Sequence, residues 1–316
     1  MILRRRRLRR PASLMKISAV VASFRERHIL DACLASLLPQ CADAGAELIV
    51  ARADASAAIE ALAHTYPDIR FVHVPIGTGI PQLRAAGLSV AGGVMVALTE
   101  DHCVASPGWV STMAAYADTD IDVVGGGMDN ARADRALEWG AFFAEYGFFS
   151  AVTARPPQPE GRTLPLTGAN VAYARRVLPD VIAWTLDGLW ENVVHDRLRA
   201  GGAVMRFDPT ARVGQNLTYS LGAFCADRYQ HGHDYARARL GLSPGENRFV
   251  RVAASLALPP VLTLRVARTA VGSAARAVAF LRALPFTFTF LAAWSAGEAI
   301  GYLRGPSAPP QNSNNF

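Results

Sequence analysis

The chain has 316 residues, 51% of them hydrophobic and only 18% charged, so it can bury a full core and is too apolar for disorder. Its net charge of +6 is unevenly spread: residues 1–16 carry six arginines and Lys16 with no acid, residues 17–247 carry 18 basic and 25 acidic groups, and residues 248–316 set seven arginines against Glu298 alone. A nucleic-acid enzyme is expected to carry its positive charge on the folded body, and here the body is acidic, so the basic ends point instead to an anionic membrane surface. Cys33, Cys41, Cys103 and Cys225 show no CxxC spacing, which argues against a zinc knuckle or a disulfide framework and makes the reducing cytosol the expected compartment. The basic N-terminus is followed by no long apolar stretch with a small-residue cleavage site, so no secretory signal is expected.

In chain order, Ile17 to Ala22 reads as a buried strand and is followed by a helix with Leu30, Leu34, Leu37 and Leu38 on one face. Glu47 to Ala51, Ile69 to Val74 and Val94 to Thr99 read as further strands, separated by helices at Ala55 to His64 and Ile80 to Val90. Strands alternating with helices predict an α/β fold with a mostly parallel sheet covered on both faces. Ligands bind such sheets beyond the carboxyl ends of the strands, where Ser23, Asp54 and the run Glu100-Asp101-His102 fall, so the first hundred residues read as a nucleotide-binding half. Asp120 to Gly127 reads as another strand, Trp139 to Phe149 as an aromatic region, Arg155 to Arg162 as a loop, Leu164 to Ala174 as an apolar segment around Gly168 and Asn170, and Leu186 to Ala200 as a helix carrying Glu191, His195 and Arg197. No internal repeat is present, and Pro306 to Phe316 is low-complexity.

From Arg248 to Leu303 Ala, Leu, Val and Phe dominate. The longest charge-free run there, Ala283 to Gly297, has fifteen residues, short of the roughly 20 a span needs. On one continuous helical wheel Arg265, Arg268, Arg276 and Arg282 cluster within about a third of the circumference, the pattern of a helix lying in a membrane interface. Expected boundaries are therefore a basic tail at 1–15, a catalytic domain at 16–245, a membrane-associated helical region at 246–305 and a disordered tail at 306–316.

Five segments carry a family resemblance. Ile17-Ser18-Ala19-Val20-Val21-Ala22-Ser23-Phe24 resembles the opening strand of glycosyltransferase family 2. Leu83-Arg84-Ala85-Ala86-Gly87 with Ala91-Gly92-Gly93 is similar to its next conserved segment. Glu100-Asp101-His102, closed by Pro107-Gly108-Trp109, sits where the family has its DxD strand. Gly168-Ala169-Asn170 resembles the acceptor-side segment, and Trp190-Glu191-Asn192 through Arg197-Leu198 and Gly201 resembles the ED...RL...G segment. The coverage is roughly residues 16 to 215. The resemblance, closest to membrane-associated bacterial members, implies a GT-A fold (a Rossmann-like, mostly parallel sheet with flanking helices) and a metal-dependent, inverting sugar transfer of hexosyltransferase type in cell-envelope glycan synthesis. The donor would be a nucleotide sugar, the acceptor a lipid-linked or envelope glycan, and the location the cytoplasmic face of the inner membrane.

A departing nucleoside diphosphate is stabilised by a divalent ion clamped on its phosphates. Alternate side chains at a strand end project to the same side, which makes Glu100 and His102 the expected ligands of Mn²⁺ or Mg²⁺; an imidazole ligand favours Mn²⁺. Displacement at the anomeric carbon needs a carboxylate that takes the acceptor hydroxyl's proton. The resemblance makes it Glu191, with Asp187 one turn earlier as the alternative. It also assigns Ala22, Ser23, Asp54, Arg84 and Asp101 to the donor, and Gly168, Asn170 and Trp190 to the acceptor. Arg52 stands where the family has an acidic residue that reads the nucleobase, so the base stays open. His231-Gly232-His233 lacks a third ligand, and Arg228-Tyr229-Gln230 does not match the signature of processive relatives, which favours a single addition. Two other readings stay open: a catalytically inactive GT-A scaffold on a membrane, and a nucleotidyltransferase on a related fold, although Ser23 to His28 lacks the Gly and Lys of a triphosphate loop.

Overall fold

The computed structural model describes residues 15–132, 134–150, 165–242, 245, 247–270 and 272–305. The expected tail at 1–15, apart from Met15, the 155–162 loop and the 306–316 tail lie outside these residues.

The predicted alternation is present. Strands β1 (Ile17–Ser23), β2 (Glu47–Ala53), β3 (Ile69–Val74) and β4 (Met95–Glu100) are separated by helices α1 (Arg27–Ala44), α2 (Ser56–Thr65) and α3 (Ile80–Ser89). The strands are short apolar runs rich in Val, Ile and Ala, and β1 and β4 are buried along their whole length, as strands covered on both faces must be. In α1 the inward stripe is Leu30, Cys33, Leu34, Leu37 and Cys41, so the two cysteines act as small apolar residues and Leu38 is displaced to the rim. There follow β5 (Cys103–Ala105), α4 (Trp109–Ala114), β6 (Val123–Asn130), α5 (Ala136–Tyr146), a short 3₁₀ turn, β7 (Asn170–Ala174), α6 (Leu178–Leu186), α7 (Glu191–Ala200), β8 (Met205–Gln215), α8 (Leu221–Leu242), α9 (Arg248–Ala270) and α10 (Ala274–Arg304). The helix expected over 186–200 is confined to α7, because Leu186 is the last residue of α6 and a short link precedes Glu191. Gly188, at φ +84°, takes the left-handed conformation that ends α6, and Trp190 opens α7.

One eight-stranded sheet has the order β3-β2-β1-β4-β7-β6-β8-β5. β1 runs parallel to β2 and β4, β2 runs parallel to β3, and β7 is antiparallel to β4 and β6. The register sets Ala22 beside both Ala51 and Glu100, so the carboxyl ends of the first, second and fourth strands lie side by side at one edge of the sheet.

The chain divides into two compact units, Met1–Gly127 with Pro157–Val213 and Met128–Pro156 with Gly214–Phe316. The first holds the α/β core, where Val20, Ile49, Val96, Leu98, Val171 and Tyr173 are buried. In the second, α10 packs along α8 and against α5 and α9. Glycines allow close backbone contact there: a Cβ on Gly297 would lie 2.7 Å from the Tyr229 carbonyl carbon. The single arginine-lined wheel across 265–282 is corrected by the structure, because α9 ends at Ala270 and α10 begins at Ala274. Arg276 falls on the buried side of α10, its guanidinium 5.3 Å from the Phe142 ring centroid.

Candidate active site

Arg84 is the hub of the first unit's strand-end edge. It sits on α3, which the small residues Ala85 and Gly87 let approach the sheet; a Cβ on Gly87 would stand 3.3 Å from the Ala51 Cβ. Its guanidinium is buried and forked: one terminal nitrogen donates to Glu100 Oε1 at 2.5 Å, the other to Glu191 Oε2 at 2.8 Å. Glu100 comes from the end of β4 and Glu191 from the first residue of α7, so two carboxylates 91 positions apart in sequence are held one guanidinium apart. Trp190 lies on the same cation, its ring centroid 5.8 Å from Arg84 Cζ. Gly168 leaves the room this requires, since a Cβ there would fall 2.6 Å from Arg84 Cζ. Gly168→Ala is therefore expected to push the guanidinium off its two partners, costing about 1–3 kcal/mol of stability; urea unfolding of the variant checks it.

The electrostatics follow from this fork. Burial alone would raise the Glu191 carboxyl, but the Arg84 charge and its hydrogen bond override it and hold the group at about 2. Burial opposes ionisation of Glu100 as well, and Arg84 and then His102 hold it below the usual carboxylate range. Both are ionised at neutral pH, and Arg84 is the counter-charge they share.

His102 is buried, with Nδ1 3.4 Å from Glu100 Oε2. Burial would lower the imidazole, but Cys103 and then Glu100 hold it up at about 9, so His102 is protonated near neutrality and would have to give up that proton before it could join Glu100 as a ligand of one divalent cation. Among the described residues no group of three His, Cys, Asp or Glu side chains forms a complete cation site. The two residues fit such an ion only if other ligands, such as diphosphate oxygens, complete its shell.

Asp101 does different work. It is fully buried, and Oδ2 accepts the backbone N–H groups of Phe24 and Arg25, each at 2.8 Å, while its own N–H donates to the Ala22 carbonyl at 3.0 Å. It braces the turn after β1, and Ala22 contributes through its backbone. Ser23 and Asp54 form a second corner around Arg52: the Arg52 guanidinium donates to Ser23 Oγ at 2.6 Å and pairs with the Asp54 carboxylate at 2.7 Å. Asp54 Oδ1 also accepts the Ala55 N–H at the entry to α2.

Asn170, expected on the acceptor side, lies inside the sheet. It is fully buried, its amide donating to the Gly127 and Ala211 carbonyls and accepting from Trp109 Nε1. These bonds tie together the strands around β7. Asp187, the alternative base, ends α6 and is not one of the Arg84 partners. His195 is the residue that the sequence reading left without a role. One turn beyond Glu191, it is buried with Nε2 2.9 Å from the Tyr173 hydroxyl, and burial pushes it down to about 4, so it is neutral near pH 7. The i, i+4 spacing to Glu191 was the available signal.

Comparison with known proteins gives the family and the fold. Residues 18–180 match the glycosyl transferase family 2 profile, more than half of the chain. The chain belongs to glycosyltransferase family 2. Among solved structures, the mannosyltransferase PcManGT from Pyrobaculum calidifontis, in complex with GDP-Man and Mn²⁺, superposes with a TM-score of 0.56 at 16% identity, covering 91% of this chain and 87% of the other. Glucosyl-3-phosphoglycerate synthase from Mycobacterium tuberculosis, in complex with Mn²⁺, UDP and phosphoglyceric acid, has a TM-score of 0.45 at 18% identity, covering 68% and 75%. No curated protein sequence matches. The expected fold, a GT-A sheet with flanking helices followed by two apolar C-terminal helices, is the one found.

Proposed function

We propose that this family 2 glycosyltransferase carries out an inverting, hexosyltransferase-type transfer from a nucleoside diphosphate sugar to a lipid-linked or membrane-proximal glycan acceptor. It would do so at the cytoplasmic face of the inner membrane, in envelope glycan synthesis. One observation carries the chemistry: Arg84 stands between the strand-end carboxylate Glu100 and the helix carboxylate Glu191. A leaving diphosphate needs positive charge on one side of the anomeric carbon, and the attacking hydroxyl needs a base on the other. Glu191, quarter-exposed where Glu100 is buried, is the carboxylate that an acceptor reaches.

At about 2, Glu191 is a poor base while Arg84 holds it. A donor diphosphate offers Arg84 a bidentate partner, and as the guanidinium turns to it the Glu191 carboxyl rises toward the ordinary range and gains basicity. Glu100 and His102 would hold a divalent cation on the same diphosphate, which supplies charge stabilisation for the leaving group. The Ser23, Arg52 and Asp54 corner would receive the nucleoside, with Arg52 as a donor toward base or ribose oxygens. Asp101 shapes that corner by bracing the turn after β1.

The test is a thermal-shift panel with UDP, GDP, TDP and CMP, each with and without Mn²⁺, on wild type, Glu100→Ala and His102→Ala. Binding stabilises the folded state by about 2.7 kcal/mol at a hundredfold excess over Kd, and the melting temperature rises accordingly. One diphosphate should stabilise the wild type only with metal, and neither variant should respond. A folded wild type that responds to none would sink the transferase reading in favour of an inactive scaffold.

A further inference from the structure

We propose that the exposed faces of α9 and of the first half of α10 are a lipid-docking surface that lies along an anionic bilayer, half-embedded, with neither helix crossing it. This deepens the membrane-proximal part of the reading above and rests on it. From Phe249 to Leu264 every exposed position of α9 is apolar, and Phe249, Ala253, Leu256, Pro260 and Leu264 form one stripe at helical spacing. Leu256 is 71% exposed and Phe249 61%. The first half of α10 repeats the pattern with Val278, Leu281, Leu284 and Phe288. A helix at a water-facing surface carries polar residues there, as α8 of the same unit does with Asp227, Gln230 and Asp234.

Charge names the occupant. Arg248 precedes the α9 stripe, Arg265 and Arg268 follow it, and Arg282 stands beside Leu281, all of them exposed. The one acid of these two helices, Glu298, is buried. Apolar faces edged by unopposed arginines suit acyl chains beneath anionic headgroups. A second copy of the chain would instead bring like charges together.

Both helices are long and apolar enough overall to cross a membrane, and it is the position of their charges that favours lying along it. Arg251 and Arg265 leave 252–264 free of charge on α9, and Arg282 and Glu298 leave 283–297 on α10. At 1.5 Å per residue these runs reach about 20 and 22 Å, against a hydrocarbon core of about 30 Å. The second half of α10 is moreover a core helix, burying Phe290, Leu291, Ser295, Glu298 and Tyr302 within its unit.

The test is flotation of the full chain with vesicles of phosphatidylcholine alone or with roughly one part in three phosphatidylglycerol. Binding should require the anionic lipid. Leu256→Asp with Leu264→Asp should lower it at least about tenfold, and Arg265→Glu with Arg268→Glu at least about 25-fold, taking the loss of each arginine as roughly fivefold. All these positions are exposed, so melting temperature and the nucleotide response should match wild type, which separates failure of docking from failure of the transfer reading. Depth is read from a fluorophore on a single cysteine at 249, 256 or 264, quenched by spin-labelled lipids, with the native cysteines replaced by alanine. Equal depth at all three is the expected result. A deep 256 between shallow ends would mean that α9 spans, and unchanged flotation of the aspartate variant, or a wild type that ignores anionic vesicles and self-associates instead, would overturn the proposal.

Discussion

Glu191→Gln should lower the rate of sugar transfer by about 10²–10⁴-fold, the usual contribution of a positioned base, while leaving nucleotide binding intact. The substitution is nearly isosteric, and the new amide oxygen can still accept from the Arg84 terminal nitrogen that reaches Glu191 Oε2 at 2.8 Å. The hub keeps its geometry and loses only the proton acceptor. Steady-state transfer assays paired with the thermal-shift panel separate the two effects: a variant that binds nucleotide and transfers at the wild-type rate would remove Glu191 from the mechanism. Asp187→Asn serves as the comparison, and its transfer rate should stay within a few-fold of wild type.

Arg84→Met should destabilise the first unit by about 3–5 kcal/mol at pH 7, because removing one member of a buried ionic cluster leaves the others uncompensated. Here the members left behind are two carboxylates, Glu100 and Glu191. The pH dependence gives the cause away. In the wild type Glu191 is held at about 2, below its unfolded value, so its contribution is complete above the ordinary carboxylate range and disappears as pH falls toward 2. In the variant, burial without the cation raises both carboxyls above their unfolded values, so the deficit is largest near neutrality and shrinks as acid protonates them. Urea unfolding of both proteins at pH 7 and pH 5 measures this; a deficit that stays constant between the two would mean that Arg84 acts by packing alone. Transfer should also fall in the variant, since the diphosphate loses its bidentate partner.

Much of the fold was legible because its signals are local. Each of the first four strands is a short apolar run closed by polar residues, and each intervening helix carries its stripe at helical spacing. The start of α7 was placed five residues early because the apolar and polar pattern over 186–200 does not reveal that Gly188 takes a left-handed conformation in the link before it. The arginine wheel across 265–282 failed because periodicity assumes one helix, whereas α9 ends at Ala270 and α10 begins at Ala274. In the site, motif position singled out Glu100, Arg84, Gly168, Trp190 and Glu191, and the structure brings them together around one guanidinium, but motif position does not show that Asn170 is hydrogen-bonded inside the sheet.

The sequence by itself determined the alternating α/β order, the strand ends at which the polar residues gather, the family, and the two apolar, arginine-flanked C-terminal segments, because all of these are written in spacing along one chain. Only the tertiary structure decided that Arg84 joins Glu100 to Glu191, that Asp101 faces backbone amides, that Asn170 is hydrogen-bonded inside the sheet and that Arg276 is buried among aromatic rings while its neighbours stay exposed. Those facts depend on which surfaces meet when the helices close on the sheet. Residues 16 to 107 positions apart then share one low-dielectric site, where a partner a few ångströms away outweighs everything adjacent in sequence.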